Sequence, residues 1–158
     1  MEERVESWKP HLLGFILPII IIAGLLQGGW WSASGIVWGL GIGPLLDLIS
    51  PEGIPSRNHE LSPTPWNLLL FGHSITAICA LSALMYRAQL DGLVITTIVG
   101  AVSVGLVSGV SAIVNAHEQG HRKKGSLIWR MGRLNLLWVM YMHYTTEHNH
   151  GHHRHYAT

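Results

Sequence analysis

Four apolar runs occupy most of residues 12–115, and few folds can accommodate them. Leu12 to Trp30 is the first. At about 1.5 Å per residue it covers about 28 Å, close to one hydrocarbon core. Ser34–Ile49, Trp66–Tyr86 and Gly92–Asn115 come next, and no lysine, arginine or glutamate interrupts them. In lipid every backbone N–H and C=O must be paired within the chain, so such runs span as helices. The expected fold is all-α: a single membrane domain over residues 1–158, a bundle of about four transmembrane helices. Pro18 is tolerable inside the first span because neighbouring helices can compensate its missing hydrogen bond.

The composition agrees. Hydrophobic residues make up 48% of the chain and charged residues only 12%, which is too apolar for an ordinary soluble domain. Tryptophan and tyrosine are frequent, as suits membrane interfaces. A formal net charge of +1 argues against nucleic acid as a partner, since that needs a basic stripe. The single cysteine, Cys79, excludes an internal disulfide and a cysteine-based zinc site. The acidic start, Met1-Glu2-Glu3-Arg4-Val5-Glu6, precedes an apolar run longer than a signal-peptide core of about 7–15 residues. It therefore reads as a mature cytoplasmic start.

Within the spans, glycines or small residues recur every fourth position: Gly35, Gly39 and Gly43, then Ala101, Gly105 and Gly109. Such stripes let helices approach closely, within a chain or between copies in a homo-oligomer. Gln27-Gly28-Gly29 and Trp30-Trp31 read as an interfacial turn, and residues 50–65, rich in Pro, Ser, Asn and Glu, as a loop. Asp47 near a helix end fits a solvated terminus better than a functional role. His73 lies about two turns into the third span, where an ionisable residue is a functional candidate. A neutral histidine bonded to a neighbouring carbonyl is the plainer expectation for it.

Residues 126–146 carry Leu127, Ile128, Met131, Leu134, Leu137 and Trp138, with Arg130 and Arg133 among them. That is too charged to span comfortably and predicts an amphipathic helix at the interface. With four spans and both ends cytoplasmic, every lysine and arginine except Arg87 lies inside, a strong positive-inside bias.

All histidines except His11, His59 and His73 fall between His117 and His155, just beyond the last span. Six of these eight form two clusters, His117-Glu118-Gln119-Gly120-His121 and Glu147-His148-Asn149-His150-Gly151-His152-His153. If the last span continues for one more turn, His117 and His121 project from one helix face. His148 and His152 repeat the spacing, with His153 beside them. Neutral imidazole nitrogens in this pattern suit Zn, Fe, Cu or Ni. These donors exceed what one tetrahedral zinc uses, which leaves two metals, or one metal with spare ligands. Asn115 and Glu118 could orient the first pair of rings through their second nitrogens, and Glu147 and Asn149 the second set. The first cluster also fits the zinc-protease pattern, with Glu118 as base. A nonspecific metal-binding tract or a tag in the tail is disfavoured, because two separate clusters each come after an apolar or amphipathic segment and the tail is interrupted by Asn149, Gly151 and Arg154.

The two boxes, about thirty residues apart after four spans, resemble those of the integral-membrane alkane hydroxylases (alkane monooxygenases) of the membrane fatty-acid desaturase and hydroxylase superfamily. Gly43-Pro44-Leu45-Leu46-Asp47 is similar to the family's second span. Arg154-His155-Tyr156-Ala157-Thr158 is similar to the run just after the family's second box, with Tyr156 in the place of a valine. The resemblance implies a site of two non-haem iron ions, with His117, His121, His148, His152 and His153 as ligands. His150 and His155 do not carry over. It implies O2-dependent hydroxylation of the terminal carbon of medium-chain alkanes, with electrons from rubredoxin and rubredoxin reductase. The setting would be the lipid bilayer of the bacterial inner membrane, with the metal site facing the cytoplasm. Family members continue about as long again, to a third histidine box, so the resemblance implies that this chain is the N-terminal half of such an enzyme. Alone it is expected to bind iron incompletely and to have little activity. The alternatives are a fatty-acid desaturase or xylene-type hydroxylase of the same fold, the zinc-dependent membrane protease, and a non-enzymatic metal-binding membrane protein.

Overall fold

The structure, a computed structural model, describes residues 7–50 and 62–147. These residues are helical, with no strand among them. Four helices are long and apolar enough to cross a membrane: α1 (Lys9–Gln27), α2 (Gly29–Ile49), α3 (Thr64–Asp91) and α4 (Ile95–Gly120). A shorter helix, α5 (Leu127–Trp138), and a single turn at Tyr144–Thr146 complete the described chain. We read the first four as transmembrane spans.

Helix lengths differ from the sequence expectation at their ends, for identifiable reasons. α1 begins at Lys9, three residues before the predicted Leu12, because Lys9–Phe15 forms a 3-10 lead-in with Pro10 in its first turn. The turn between α1 and α2 is tighter than predicted. Gly28 and Gly29 adopt φ 79° and 56°, so Trp30 and Trp31 already belong to the 3-10 start of α2. α3 runs past the predicted Tyr86 to Asp91. Its extra turn carries Arg87, whose Nε donates to the Leu25 carbonyl at 2.9 Å and whose Nη2 donates to the Leu26 carbonyl at 2.7 Å. These carbonyls belong to the last turn of α1, where no intrahelical partner is available. Asp91, 3.3 Å away, holds the guanidinium in place.

The spans pack through small residues, as expected where lipid tails are as apolar as the helix surfaces. Ile21 and Leu25 of α1, Ala80 and Ala83 of α3, and Val104 and Val107 of α4 form the buried core. Gly35 is required for this packing: a Cβ there would lie 2.6 Å from Ile21 Cγ1 and 2.7 Å from Ser103 Cβ. The second stripe behaves differently. A Cβ on Gly105 or Gly109 would meet nothing within 4 Å, so among the described residues these glycines face open space and not a neighbouring helix. Ile19, Leu40, Leu68 and Val102 are exposed on the outer surfaces of the spans, where lipid would cover them.

α5 is amphipathic, as predicted, but ends at Trp138 and does not reach Thr146. Ser126 caps its start, its Oγ accepting from the Trp129 N–H at 3.3 Å. At its end Tyr141 N–H donates to the Leu136 carbonyl and Met140 N–H to the Leu137 carbonyl. This is a Schellman closure, with Met140 at φ 54° in the position glycine usually fills. Without a glycine or proline to mark it, the stop is invisible in the apolar periodicity. Gly132, Asn135 and Leu136 form the buried face of α5.

The Arg87 clamp yields a prediction. Arg87→Leu leaves two span-end carbonyls unpaired and should lower stability by about 2–4 kcal/mol, whereas Asp91→Asn should cost less than about 1 kcal/mol. Unfolding titrations of the three proteins in detergent compare the effects. Equal losses would mean that Arg87 acts through its ion pair with Asp91 inside α3 and not through the carbonyl clamp on α1.

Candidate metal centre

The last span does continue beyond the apolar run. After an α-helical stretch, Ile95–Val107, a π-helical turn occupies Ser108–Val114 and Asn115–Gly120 is α-helical again, so α4 carries the first histidine box on its final turn. π-turns of this kind are often found at functional sites. His117 and His121 share a face as the four-residue spacing requires. Their rings meet edge to face, with centroids 4.7 Å apart, and the two Nε2 atoms are 3.1 Å apart.

That separation can be tested against a metal. Two imidazole nitrogens about 2.0–2.1 Å from one ion are about 2.9 Å apart at a right angle and about 3.4 Å apart at the tetrahedral angle. The observed 3.1 Å lies between these limits, so the spacing of the two nitrogens is that of two ligands of one ion. Among the described residues no group of three or more His, Cys, Asp or Glu converges. His148, His152, His153 and Asn149, along with His150 and His155, lie outside the described residues.

A metal-binding imidazole usually donates its second N–H to an oxygen that fixes the tautomer. Here that oxygen is a tyrosine hydroxyl: Tyr144 Oη is 2.8 Å from His117 Nδ1. Burial, and then the neighbouring Tyr141, push the Tyr144 phenol above its ordinary pKa, so it stays protonated at neutral pH. A phenol both donates and accepts, so it can accept from His117 Nδ1–H, the tautomer whose lone pair lies on Nε2, toward His121. Tyr144 precedes His148 by only four residues in the chain.

The residues expected to orient the first box do other work. Asn115 donates to the Leu70 carbonyl at 2.9 Å and to Ser74 Oγ at 3.0 Å, facing the bundle. Glu118 lines a cleft of about 760 Å³ together with His11, His73, Trp66 and Arg122. Glu147 is exposed at the last described position. His73 takes a hydroxyl partner, Ser111 Oγ at 3.1 Å, in place of the expected carbonyl, and stacks on Phe15 at 4.2 Å.

What fixes the histidine turn is a buried polar cluster that no motif announces. Ser74 of α3, Asn115 and Gln119 of α4, and Asn135 of α5 are all buried. Ser74 Oγ donates to the Leu70 carbonyl at 3.0 Å and is approached by the side-chain amides of Asn135 at 2.8 Å, Asn115 at 3.0 Å and Gln119 at 3.1 Å. Asn135 also donates to Gln119 Oε1 at 3.0 Å. Gln119 sits midway between the histidines and, at about 100° per residue, points about 200° away from His117. Anchoring its side chain inward therefore turns both rings outward, toward Tyr144.

Gly132 makes this possible, because a Cβ there would lie 2.9 Å from Gln119 Cβ and 3.3 Å from the Ala116 carbonyl. Gly→Ala inside a helix normally stabilises by about 1 kcal/mol. Gly132→Ala should instead destabilise by about 1–3 kcal/mol, since neither contact can yield without moving α5 off α4. Detergent unfolding reads the sign, and a stabilised variant would contradict the close approach.

No protein-family model matches the chain, and no solved structure does. Among curated proteins, it is 31% identical to alkane 1-monooxygenase 1 of Alcanivorax borkumensis over 167 aligned positions, covering 100% of this chain and 41% of that protein. The alkane 1-monooxygenases of Pseudomonas putida and Ectopseudomonas oleovorans are each 45% identical over 58 residues, 37% of this chain and 14% of theirs. The chain thus spans about two fifths of the length of the relative that it matches throughout. This relationship runs through all its spans and its histidine turn and supports a place for the chain in the alkane-monooxygenase family.

Proposed function

We propose that the protein takes part in O2-dependent hydroxylation of the terminal carbon of medium-chain alkanes, in the bacterial inner membrane with its histidines facing the cytoplasm. In this reading two non-haem iron ions are held by His117, His121, His148, His152 and His153, and rubredoxin with its reductase supplies electrons. The observation that carries the reading is the His117–His121 pair, with Nε2 atoms 3.1 Å apart and Tyr144 on the His117 Nδ1. The relatives' names support alkane as the substrate.

Iron, when bound, supplies the O2 chemistry, which consumes two electrons and two protons per alcohol formed and releases one water. The chain's own residues do the rest. His117 and His121 present nitrogen lone pairs from one rigid turn, and Tyr144 holds the His117 tautomer. Gln119 keeps that turn seated against α3 and α5 through Ser74 and Asn135. The apolar spans keep a hydrocarbon dissolved beside the site and hold water away from it.

The test measures metal content and turnover together. Supplied with ferrous iron, rubredoxin, its reductase and octane in lipid nanodiscs, the chain should retain fewer than two irons and form little 1-octanol, and two irons per chain with steady turnover would refute the expectation of an incomplete site. His117→Ala and His148→Ala should each strip iron to a similar extent. Zinc in place of iron, with peptide hydrolysis lost in Glu118→Gln and His148→Ala harmless, would replace this reading with a protease. Tyr144→Phe should keep the fold and weaken iron binding about 10–100-fold, as loss of a ligand-orienting partner does. Unchanged affinity would remove Tyr144 from the centre.

A further inference from the structure

α5 does not distribute its charges as a helix lying flat on a membrane does. A flat interfacial helix carries cations along one side for its whole length. In α5 the cations, Arg130 and Arg133, are confined to the first two turns, just after Lys123 and Lys124. From Leu134 to Thr146 there is no Asp, Glu, Lys or Arg. Polarity therefore falls along the axis, as in a helix that enters a bilayer by its C-terminal end. The Arg133 guanidinium leans back one turn toward the helix start and lies 5.5 Å from the centre of the Trp129 ring, the direction a snorkelling cation takes.

The packing puts the C-terminal end of α5 well below the ends of the spans. Asn135 Nδ2 donates to Ser74 Oγ at 2.8 Å, and Ser74 lies about 15 Å along α3 from its first residue, Thr64. α5 packs on the π-helical turn Ser108–Val114, and Trp138, Val139 and Met140 line one groove with Ser108, Gly109 and Ala112 of α4. α4 has 26 residues. Its length of about 39 Å exceeds a hydrocarbon core of about 30 Å by about 4–5 Å at each end. Ser108 to Ala112 stand about 12–18 Å short of Gly120 along the helix, and so about 8–14 Å inside the hydrocarbon.

The tip of α5 suits that depth. Leu137, Trp138 and Met140 are 59%, 43% and 89% exposed, an apolar surface that the described residues leave uncovered. In hydrocarbon every backbone N–H needs a partner within the chain. The three N–H groups after Trp138 have one: Val139 donates to the Asn135 carbonyl, Met140 to that of Leu137 and Tyr141 to that of Leu136. We propose that α5 and the closure at Met140 form a re-entrant loop, with Leu137, Trp138 and Met140 inserted among the acyl chains of the leaflet on the histidine side. From this tip the chain returns to Tyr144 within one short turn, so the insertion also sets the level at which Tyr144 Oη meets His117 Nδ1.

The test is electron paramagnetic resonance on the full chain in lipid nanodiscs, with Cys79→Ser and one nitroxide-labelled cysteine at a time. Relaxation by O2, which concentrates in hydrocarbon, is compared with relaxation by a water-soluble nickel chelate. Val102→Cys, on the lipid-facing side of α4, and Lys124→Cys, ahead of α5, supply the two reference orders, O2-dominant and nickel-dominant. Labels at Leu137→Cys and Met140→Cys should both follow Val102→Cys. Leu137 lies within the helix, so it keeps the test decisive if a substitution at Met140, with φ 54°, disturbs the closure. Nickel-dominant relaxation at Leu137→Cys would put α5 on the membrane surface and overturn the proposal. Shielding from both reagents would mean that protein, a second copy or another segment, covers the tip, and would overturn it equally. Neither iron nor turnover enters the measurement, so its outcome is independent of the function proposed above.

Discussion

One hydroxyl, that of Ser74, holds the histidine-bearing end of this bundle together. Side-chain amides from α4 and α5 converge on it, and it sits on α3. Between spans the usual driving force for association is weak, since lipid solvates apolar helix faces as well as protein does. Polar contacts and close packing of small residues must supply orientation. Here the polar contacts are concentrated at the end of α4 that carries the metal-ligand candidates, and the small-residue packing lies deeper, around Gly35, Ala80 and Ala83. The hydroxyl has only two lone pairs for three amide nitrogens, so the Leu70 carbonyl takes up the remaining donors from Asn115 and Gln119. The acceptor side chains of this shared network are Ser74 and Gln119, so removing either leaves a buried amide donor short of a partner.

The geometry of the histidine pair is a consequence of this anchoring. A helix turn carrying two imidazoles on one side and a long amide on the other must bury one face. Burying Gln119 against Gly132 puts the imidazoles outside, where Tyr144 meets them. Were the imidazoles inward, they would compete with Ser74 for the same buried donors. The separation of faces lets one side of a single turn be structural and the other chemical.

How much of this was legible in the sequence depends on the range of the interaction that decides it. The spans were legible, because a run such as Leu12–Trp30 needs no partner to declare itself apolar. The shared face of His117 and His121 was legible too, being set by helix geometry alone. The helix ends were less so. α3 outruns its apolar run because Arg87 reaches carbonyls more than sixty positions away in the chain. α5 stops at Trp138 through a closure on Met140, whose side chain gives no hint of φ 54°. The orienting partners were the least legible. Asn115 and Glu118 stood nearest to the histidines in sequence, yet Asn115 turns inward and Glu118 faces the cleft of His11 and His73, and the partner of His117 comes from Tyr144, twenty-seven positions on.

The glycine stripes show why one sequence pattern can mean two things. Four-residue spacing of small residues says only that a helix face is shallow. At Gly35 the neighbouring helices come close enough to use the shallowness, and a methyl group would collide with Ile21 and Ser103. At Gly105 and Gly109 no atom of a neighbouring helix lies within 4 Å of where a methyl group would sit, although Val104 and Val107 beside them pack against Ala80 and Ala83, and the same shallowness borders a cavity. Whether a stripe closes an interface or is left open is therefore decided by which way its face turns within the bundle. Val104 and Val107 take the α4 face that meets Ala80 and Ala83, and this leaves Gly105 and Gly109 turned away from that contact.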